Sequence, residues 1–446
     1  MGSEMCIRDS PSQASFAQSL ASACDSGARL FDESFAEFCA RSDLPEFDFI
    51  GVHGIWSWIS DENRSVIVDF VRRKLRVGGV LYISYNTLPG WAAFAPMRHL
   101  MTEHSEILGA EGRGIVSRID GAIDFAEKLL ALNPAYLRAN PQVDERVKKI
   151  KEHNRHYLAH EYFNRDWHPM HFATMGACLE PAKLQYACSA NYLDAIDAVN
   201  LTAEQQAFLN EIPDPMFRQT TRDFMVNQQF RKDYWVKGAR RLNLIEQTAA
   251  LKEQRVILTT PRADVTLKVT GALGEANLNE GIYTPILDLM ADHKPRSLSE
   301  IESSVKKENI SFIQLIQAVM ALSGAGHLSA VQQAPKKTAT KALNAHLMEK
   351  ARGSSDVSFL ASPVTGGGIL VNRFQQLFLA AQQQGKKTPQ NWAQSAWEIL
   401  SSQGQRLIKE GKPIESAEEN LRELTAQAQL FADKQLPILE QLKVSD

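Results

Sequence analysis

The chain has 446 residues, 44% hydrophobic and 23% charged, with a formal net charge of −3. That length exceeds a single hydrophobic core and predicts about two to four domains, and the near-neutral charge gives no electrostatic reason to expect a nucleic-acid partner. No apolar run approaches the roughly 18 residues of a membrane span, and five cysteines without a CxxC pair argue against a secreted disulfide framework, so a reduced, cytoplasmic protein is expected.

The opening MGSEMCIRDS lacks the apolar stretch of a signal peptide and reads as a non-native scar, 1–10, excluded from fold reasoning. From residue 11 the pattern alternates as α/β. FAQSLASAC is helical, ARLFD (28–32) a short strand ending on Asp32, and SFAEFCA (34–40) helical again. EFDFIGVH (46–53) reads as a buried strand. SDENRSVIVDFVRRKLRVGG (60–79) then reads as a helix capped by Ser60, with Asp61 and Glu62 in its positive first turn and Arg72, Arg73, Lys74 and Arg76 at its negative end. Gly78-Gly79 are expected to stop it before VLYISYN (80–86), the next buried strand. Strands alternating with helices imply parallel pairing, and such sheets bind ligands at the carboxyl ends of their strands. Asp32, His53 and Tyr85-Asn86 each stand at such an end.

Residues 92–180 read as mostly helical and hold five of the eleven histidines between 153 and 171. His156 and His160 have i, i+4 spacing, but no HExxH template accompanies them, so no metal site is expected. LQYACSAN (184–191) and RKDYWVKG (231–238) are late strands within a 181–240 segment. Over 241–331, short strands VILTT and VTLKVT precede a compact three-helix pattern and a closing HLSAV, a winged-helix-like signature with Ser297 and Glu300 at capping-box spacing. Residues 309–331, covering the would-be recognition helix, contain no Lys or Arg, so packing rather than DNA reading is expected. QQAPKKTATKA (332–342) is a polar linker, and 343–446 a mainly helical domain in which SPVTGGGIL makes a turn without the Gly-Lys-Ser/Thr of a phosphate loop.

LRVGGVLYISYN resembles strand five of class I S-adenosylmethionine-dependent methyltransferases. GVHGIWSWIS (51–60) stands where that family has its loop after strand four, and LFDESF where its third strand ends near the adenine. The series from FDFIGVHGIWSWI through LYISYNTLPGW to HEYFN is similar to bacterial methyltransferases carrying a methyltransferase regulatory domain, and to bacterial protein lysine methyltransferases. The resemblance covers roughly 28–446. It implies a Rossmann-like sheet over 11–91 followed by a helical regulatory or lid region over 92–180, S-adenosylmethionine (AdoMet) as cofactor, and a protein substrate. It allows a homodimer. It also implies a catalytic set of His53, Tyr85 and Asn86, and cofactor contacts from Asp32, Ser34, Phe35, His53, Gly54 and Trp56. Substrate contacts would come from Trp58, Trp91, His160, Glu161, Tyr162 and Asn164.

One departure stands out: no GxGxG turn precedes Asp32, and the glycines of GAEGRG (109–114) lie among helices. The family's sheet order is 3-2-1-4-5-7-6, so the central strands would be missing. Only residues 1–27 precede the first strand, fewer than the roughly 30 of a βαβ unit. An N-terminally truncated methyltransferase that binds its cofactor poorly is therefore expected. Methyl transfer from a sulfonium is chiefly a matter of placement. Aromatic faces attract that cation, and a desolvated amine acceptor with His53 taking its proton suits the residue set. The alternative is a non-catalytic protein that uses its helical and winged-helix-like domains to hold partners.

Overall fold

The computed structural model describes residues 4–6, 11–24, 27–109, 112, 114–333 and 340–445. They fall into two compact units, one of residues 35–241 with 270–274, the other of 1–34, 242–269 and 275–446.

The first unit is built on a four-stranded sheet. Strand β1 is Glu4–Cys6 and β2 is Arg29–Phe31, both of the second unit, paired parallel with each other. The sheet itself contains β3 (Phe47–Val52), β4 (Leu75–Asn86), β5 (Leu184–Ser189) and β6 (Phe230–Lys237) in the order β3-β4-β6-β5. β3 and β4 are parallel, and β6 runs antiparallel to both β4 and β5. That is the order and sense of strands 4-5-7-6 of the class I methyltransferase sheet.

Helix Asp61–Lys74 crosses from β3 to β4. Ser60 Oγ accepts from the Asn63 N–H (3.3 Å), and Ile67, Val68 and Val71 are buried against the sheet. This helix ends at Lys74, four residues before the glycine pair that was expected to stop it, and Leu75 already pairs with Phe47. The next pair is Phe49 with Val80, so Arg76–Gly79 bulge opposite Asp48. The glycines serve that bulge. Gly78 has φ +82°, and a Cβ on Gly79 would stand 2.9 Å from the Arg76 carbonyl oxygen and 3.1 Å from that of Asp48.

β3 was expected to be buried, and it is an edge strand. Among the described residues its one strand partner is β4, and Phe49 is 56% exposed. Its alternate residues Ile50 and Val52 face the core with Leu81, Ile83, Tyr85 and Trp235. Phe172, Met175 and Leu179 of helix Phe172–Leu179 cover that face. A separate helical core joins Trp91, Phe94, Met97, Ile119, Ile123, Val143, Val147 and Leu158.

In the second unit, three helices (Glu280–Leu289, Leu298–Ser304, Phe312–Gly324) share a core with a three-stranded antiparallel sheet of 255–258, 296–297 and 328–330. The Ser297/Glu300 capping box forms. The glycine-rich stretch near 362–370 is the turn of a hairpin, Phe359–Ala361 with Gly368–Leu370. The buried Ser362 hydroxyl there accepts from the Val364 and Thr365 N–H groups. Six residues of the expected linker, 334–339, lie outside the described residues, as do 1–3 and 7–10 of the expected scar and 110, 111 and 113 of GAEGRG. Glu4–Cys6, within that scar, forms β1.

Candidate functional site

The carboxyl ends of β3 and β4 stand side by side. His53 leaves β3 exposed to solvent, with Nδ1 2.9 Å from the Tyr82 hydroxyl and 3.3 Å from Ser84 Oγ, and its ring stacked on Tyr82. Gly54 follows with φ +66° and donates its N–H to Ser84 Oγ (2.8 Å). Open space surrounds the position a Cβ would take there. Partial burial raises the Tyr82 phenol above its ordinary range. Tyr82 and Ser84 were not anticipated, although alternation along VLYISYN places them together on the face opposite Leu81 and Ile83.

Behind this surface, Trp56 and Ser57 are fully buried. Ser57 Oγ accepts from the Asn86 N–H (2.8 Å), Asn86 accepts at its carbonyl from Met170 N–H (3.0 Å), and Ser57 accepts at its carbonyl from His168 N–H (2.8 Å). These bonds stitch the loop after β3 to the end of β4. Asn86 is itself buried, and its Nδ2 has no hydrogen-bond partner among the described residues. An unsatisfied buried donor at a strand end is costly unless something accepts from it.

The remaining expected residues divide. Trp56 sits inside the sheet core, its backbone carbonyl held by Arg64 Nε (3.1 Å), and presents no ring face to a ligand. Tyr85 is likewise fully buried. Its hydroxyl donates to Asp233 Oδ2 (2.8 Å), and burial first, then the Asp233 charge, push its pKa well up. Both rings share the core face of the sheet, which is the physical reason they do not form an exposed wall. Asp32 and Ser34 belong to the second unit, and β2 does not join the four-stranded sheet, whereas Phe35 packs against that sheet's core.

Trp58 and the HEYFN segment do meet: Trp58 Nε1–H donates to the Glu161 carbonyl (3.4 Å). That segment is tied down rather than loose. Buried Arg98 donates to the carbonyls of Tyr162 (2.7 Å) and Asn164, and Tyr162 packs its ring on Trp91 and Phe94. Burial pushes the Arg98 guanidinium down to about 10. His160 is exposed. Trp91 lies under the Arg146 guanidinium (3.8 Å to the ring centroid) and edge-on to Trp167.

A buried charge network that residue patterns did not reveal sits below β4. Arg231 donates to Asp233 (2.9 Å), to Asp223 (2.5 Å) and to the Tyr186 hydroxyl (3.0 Å), with Phe172 beneath its guanidinium. Among the described residues no group of three or more His, Cys, Asp or Glu side chains is placed to hold a metal ion. No helix among them is long and apolar enough to cross a membrane.

Residues 154–237 match a family model described as "Predicted methyltransferase regulatory domain". An uncharacterized protein of Synechocystis, sll1526, is 42% identical over 419 residues, which cover 93% of this chain and 81% of that protein. The chain belongs to the methyltransferases that carry this regulatory domain. The matched segment contains both β5 and β6. In fold the chain is similar to PKMT2 from Rickettsia typhi, solved in complex with AdoHcy, with TM-score 0.69, 17% identity and coverage of 99% of this chain and 89% of that one. A second structure of PKMT2 from Rickettsia typhi matches with TM-score 0.68 at 17% identity, over 98% and 88%.

Proposed function

We propose that this protein transfers a methyl group from AdoMet to a side-chain nitrogen of a protein substrate, with lysine as the acceptor class. The observation that carries the reading is the juxtaposed ends of β3 and β4: an exposed imidazole, a left-handed glycine in open space, and a buried Asn86 with an unanswered donor. The strand order around them and the AdoHcy complex of PKMT2 support it.

These residues suit one side of an AdoMet site: Gly54 for close approach of the backbone, and Asn86 Nδ2 to meet an acceptor. AdoMet, when bound, supplies a methyl group activated on a sulfonium. His53 is the residue assigned to take the proton of an amine acceptor. A basic Nε2 requires the tautomer in which Nδ1–H donates to the Tyr82 oxygen, so Tyr82 and Ser84 hold the ring in its working orientation. Trp58, anchored on the Glu161 carbonyl, is the aromatic side chain left to flank the acceptor, since Trp56 and Tyr85 are committed to the core.

The segment 255–330 is read as a winged-helix-like packing unit, because helix Phe312–Gly324 buries Leu315, Ala318 and Leu322 rather than offering them to a groove. The second reading, a partner-holding protein without catalysis, draws on the outer edge of β3, which no other strand among the described residues pairs with.

Calorimetric titration with S-adenosylhomocysteine tests the cofactor assignment. Weak but saturable binding that is lost in Gly54→Val is expected, since a β-branched residue is strained at φ +66°. Unchanged binding in that variant would remove Gly54 from the site, and absence of binding to the wild-type chain would favour the second reading. His53→Ala should bind S-adenosylhomocysteine normally while losing about 10²–10⁴-fold in transfer of radiolabelled methyl to protein.

A further inference from the structure

A cavity of about 350 Å³ opens immediately after the end of β4. Pro89, Gly90, Phe94, Asn140, Gln142 and Arg146 are among the residues that line it. Among the described residues that line it none carries a carboxylate, and Arg146 is the one charged side chain.

Two arginines work in this neighbourhood, and they differ. Arg98 spends its N–H groups on the Tyr162 and Asn164 carbonyls. Arg146 stacks on Trp91 at 3.8 Å and on Phe94 at 4.8 Å, and no hydrogen bond or ion pair among the described residues engages its donors. Stacking covers the face of a guanidinium and leaves its in-plane N–H fork available. A guanidinium held over the Trp91 ring loses little entropy on meeting a planar anion, and carboxylate is the group it matches bidentately. A single positive charge beside neutral amides balances the −1 of a carboxylate. A phosphate dianion would call for more positive charge than the cavity offers.

We infer that this cavity is a carboxylate-binding subsite that receives a Glu or Asp side chain of the protein substrate. Only Thr87 and Leu88 separate Asn86, at the candidate methyl-transfer site, from the cavity wall at Pro89. An acidic residue seated there would therefore lie near the acceptor in the substrate. The identity of the occupant as substrate rests on the methyltransferase reading; the carboxylate preference does not.

Fluorescence anisotropy with the full chain tests it, using two labelled heptapeptides that lack lysine and differ only in carrying glutamate or glutamine, without cofactor. The glutamate peptide is expected to bind about tenfold more tightly. Arg146→Gln should reduce that preference to less than twofold, and Gln142→Glu should invert it while leaving the stacked arginine in place. Near-UV circular dichroism of both variants checks that the helical core is intact. Equal affinity for the two peptides, or a preference that survives Arg146→Gln in a folded protein, would overturn the subsite. Displacement of the glutamate peptide by millimolar inorganic phosphate, but not by acetate, would assign the cavity to phosphate and overturn the carboxylate class. Because no cofactor or methyl acceptor enters the measurement, its result is independent of S-adenosylhomocysteine binding.

Discussion

Replacing Asp223 by Asn should stabilise the protein near neutral pH. The buried network places one guanidinium, Arg231, against two carboxylates, Asp223 and Asp233, so full ionisation leaves a net negative charge below β4. Asp223 Oδ2 is buried without a hydrogen-bond partner among the described residues. Burial raises the Asp223 carboxyl from 3.8 to about 6 against the opposing pull of Arg231. A folded-state pKa above the unfolded one means that the folded protein holds a proton the unfolded chain has released. Stability attached to this group is therefore complete below about pH 4 and declines as pH rises to about 6. The gap corresponds to about 3 kcal/mol. Asparagine keeps an oxygen for Arg231 Nη1 and carries no charge. A weaker hydrogen bond takes back about 1 kcal/mol, leaving a gain of about 2 kcal/mol at pH 7.5 and little change at pH 4.5. Urea denaturation followed by tryptophan fluorescence measures it, since five of the seven tryptophans (56, 58, 91, 167 and 235) lie in this unit. A variant less stable than the wild type at pH 7.5, with the same slope between pH 4 and 6, would refute the reasoning. It would show that Asp223 is ionised at low pH through the strength of its Arg231 pair.

Two further substitutions probe the seams of the site. In Gly90→Ala the new Cβ would stand 2.5 Å from Gln229 Cα, a backbone atom that cannot rotate away. A loss of about 1–3 kcal/mol in the same denaturation assay is expected, with the Thr87 and Gly90 N–H bonds to the Gln229 and Gln228 carbonyls disturbed. Ser57→Ala leaves the Asn86 N–H unanswered in a buried position. It should cost about 1–3 kcal/mol and speed amide hydrogen exchange at Asn86, whereas unaltered exchange there would show that this bond does not hold the strand end.

Much of the local architecture was legible because it is written in periodicity and capping chemistry. The Ser60 cap, the acidic first turn and the polar finish of VLYISYN predict a helix between two parallel strands. In the structure His53 and Gly54 bond to Tyr82 and Ser84 of β4, and Asn86 bonds to Ser57 in the loop after β3. Tyr85 shows a signal present but overlooked: period-two alternation puts it on the face of Leu81 and Ile83, and that face is the core. The Gly78-Gly79 pair was ambiguous in principle, since a helix stop and a strand bulge both ask for glycine, and only the pairing of Phe47 with Leu75 distinguishes them.

The amino-acid sequence by itself determined the helix between β3 and β4, the parallel sense of those two strands and the residues that follow them, because caps and apolar periodicity depend on neighbours a few residues apart. Tertiary structure alone decided which of those residues remain available to a ligand. Whether an aromatic ring at a strand end lines a pocket or fills a core depends on what chain packs over it. For Trp56 that chain is helix Phe172–Leu179 and the helix after β3, and for Trp91 it is Arg146, at distances in sequence that no local pattern encodes. The same physics exposed Phe49 on an edge and placed the Arg146 guanidinium among neutral cavity-lining residues.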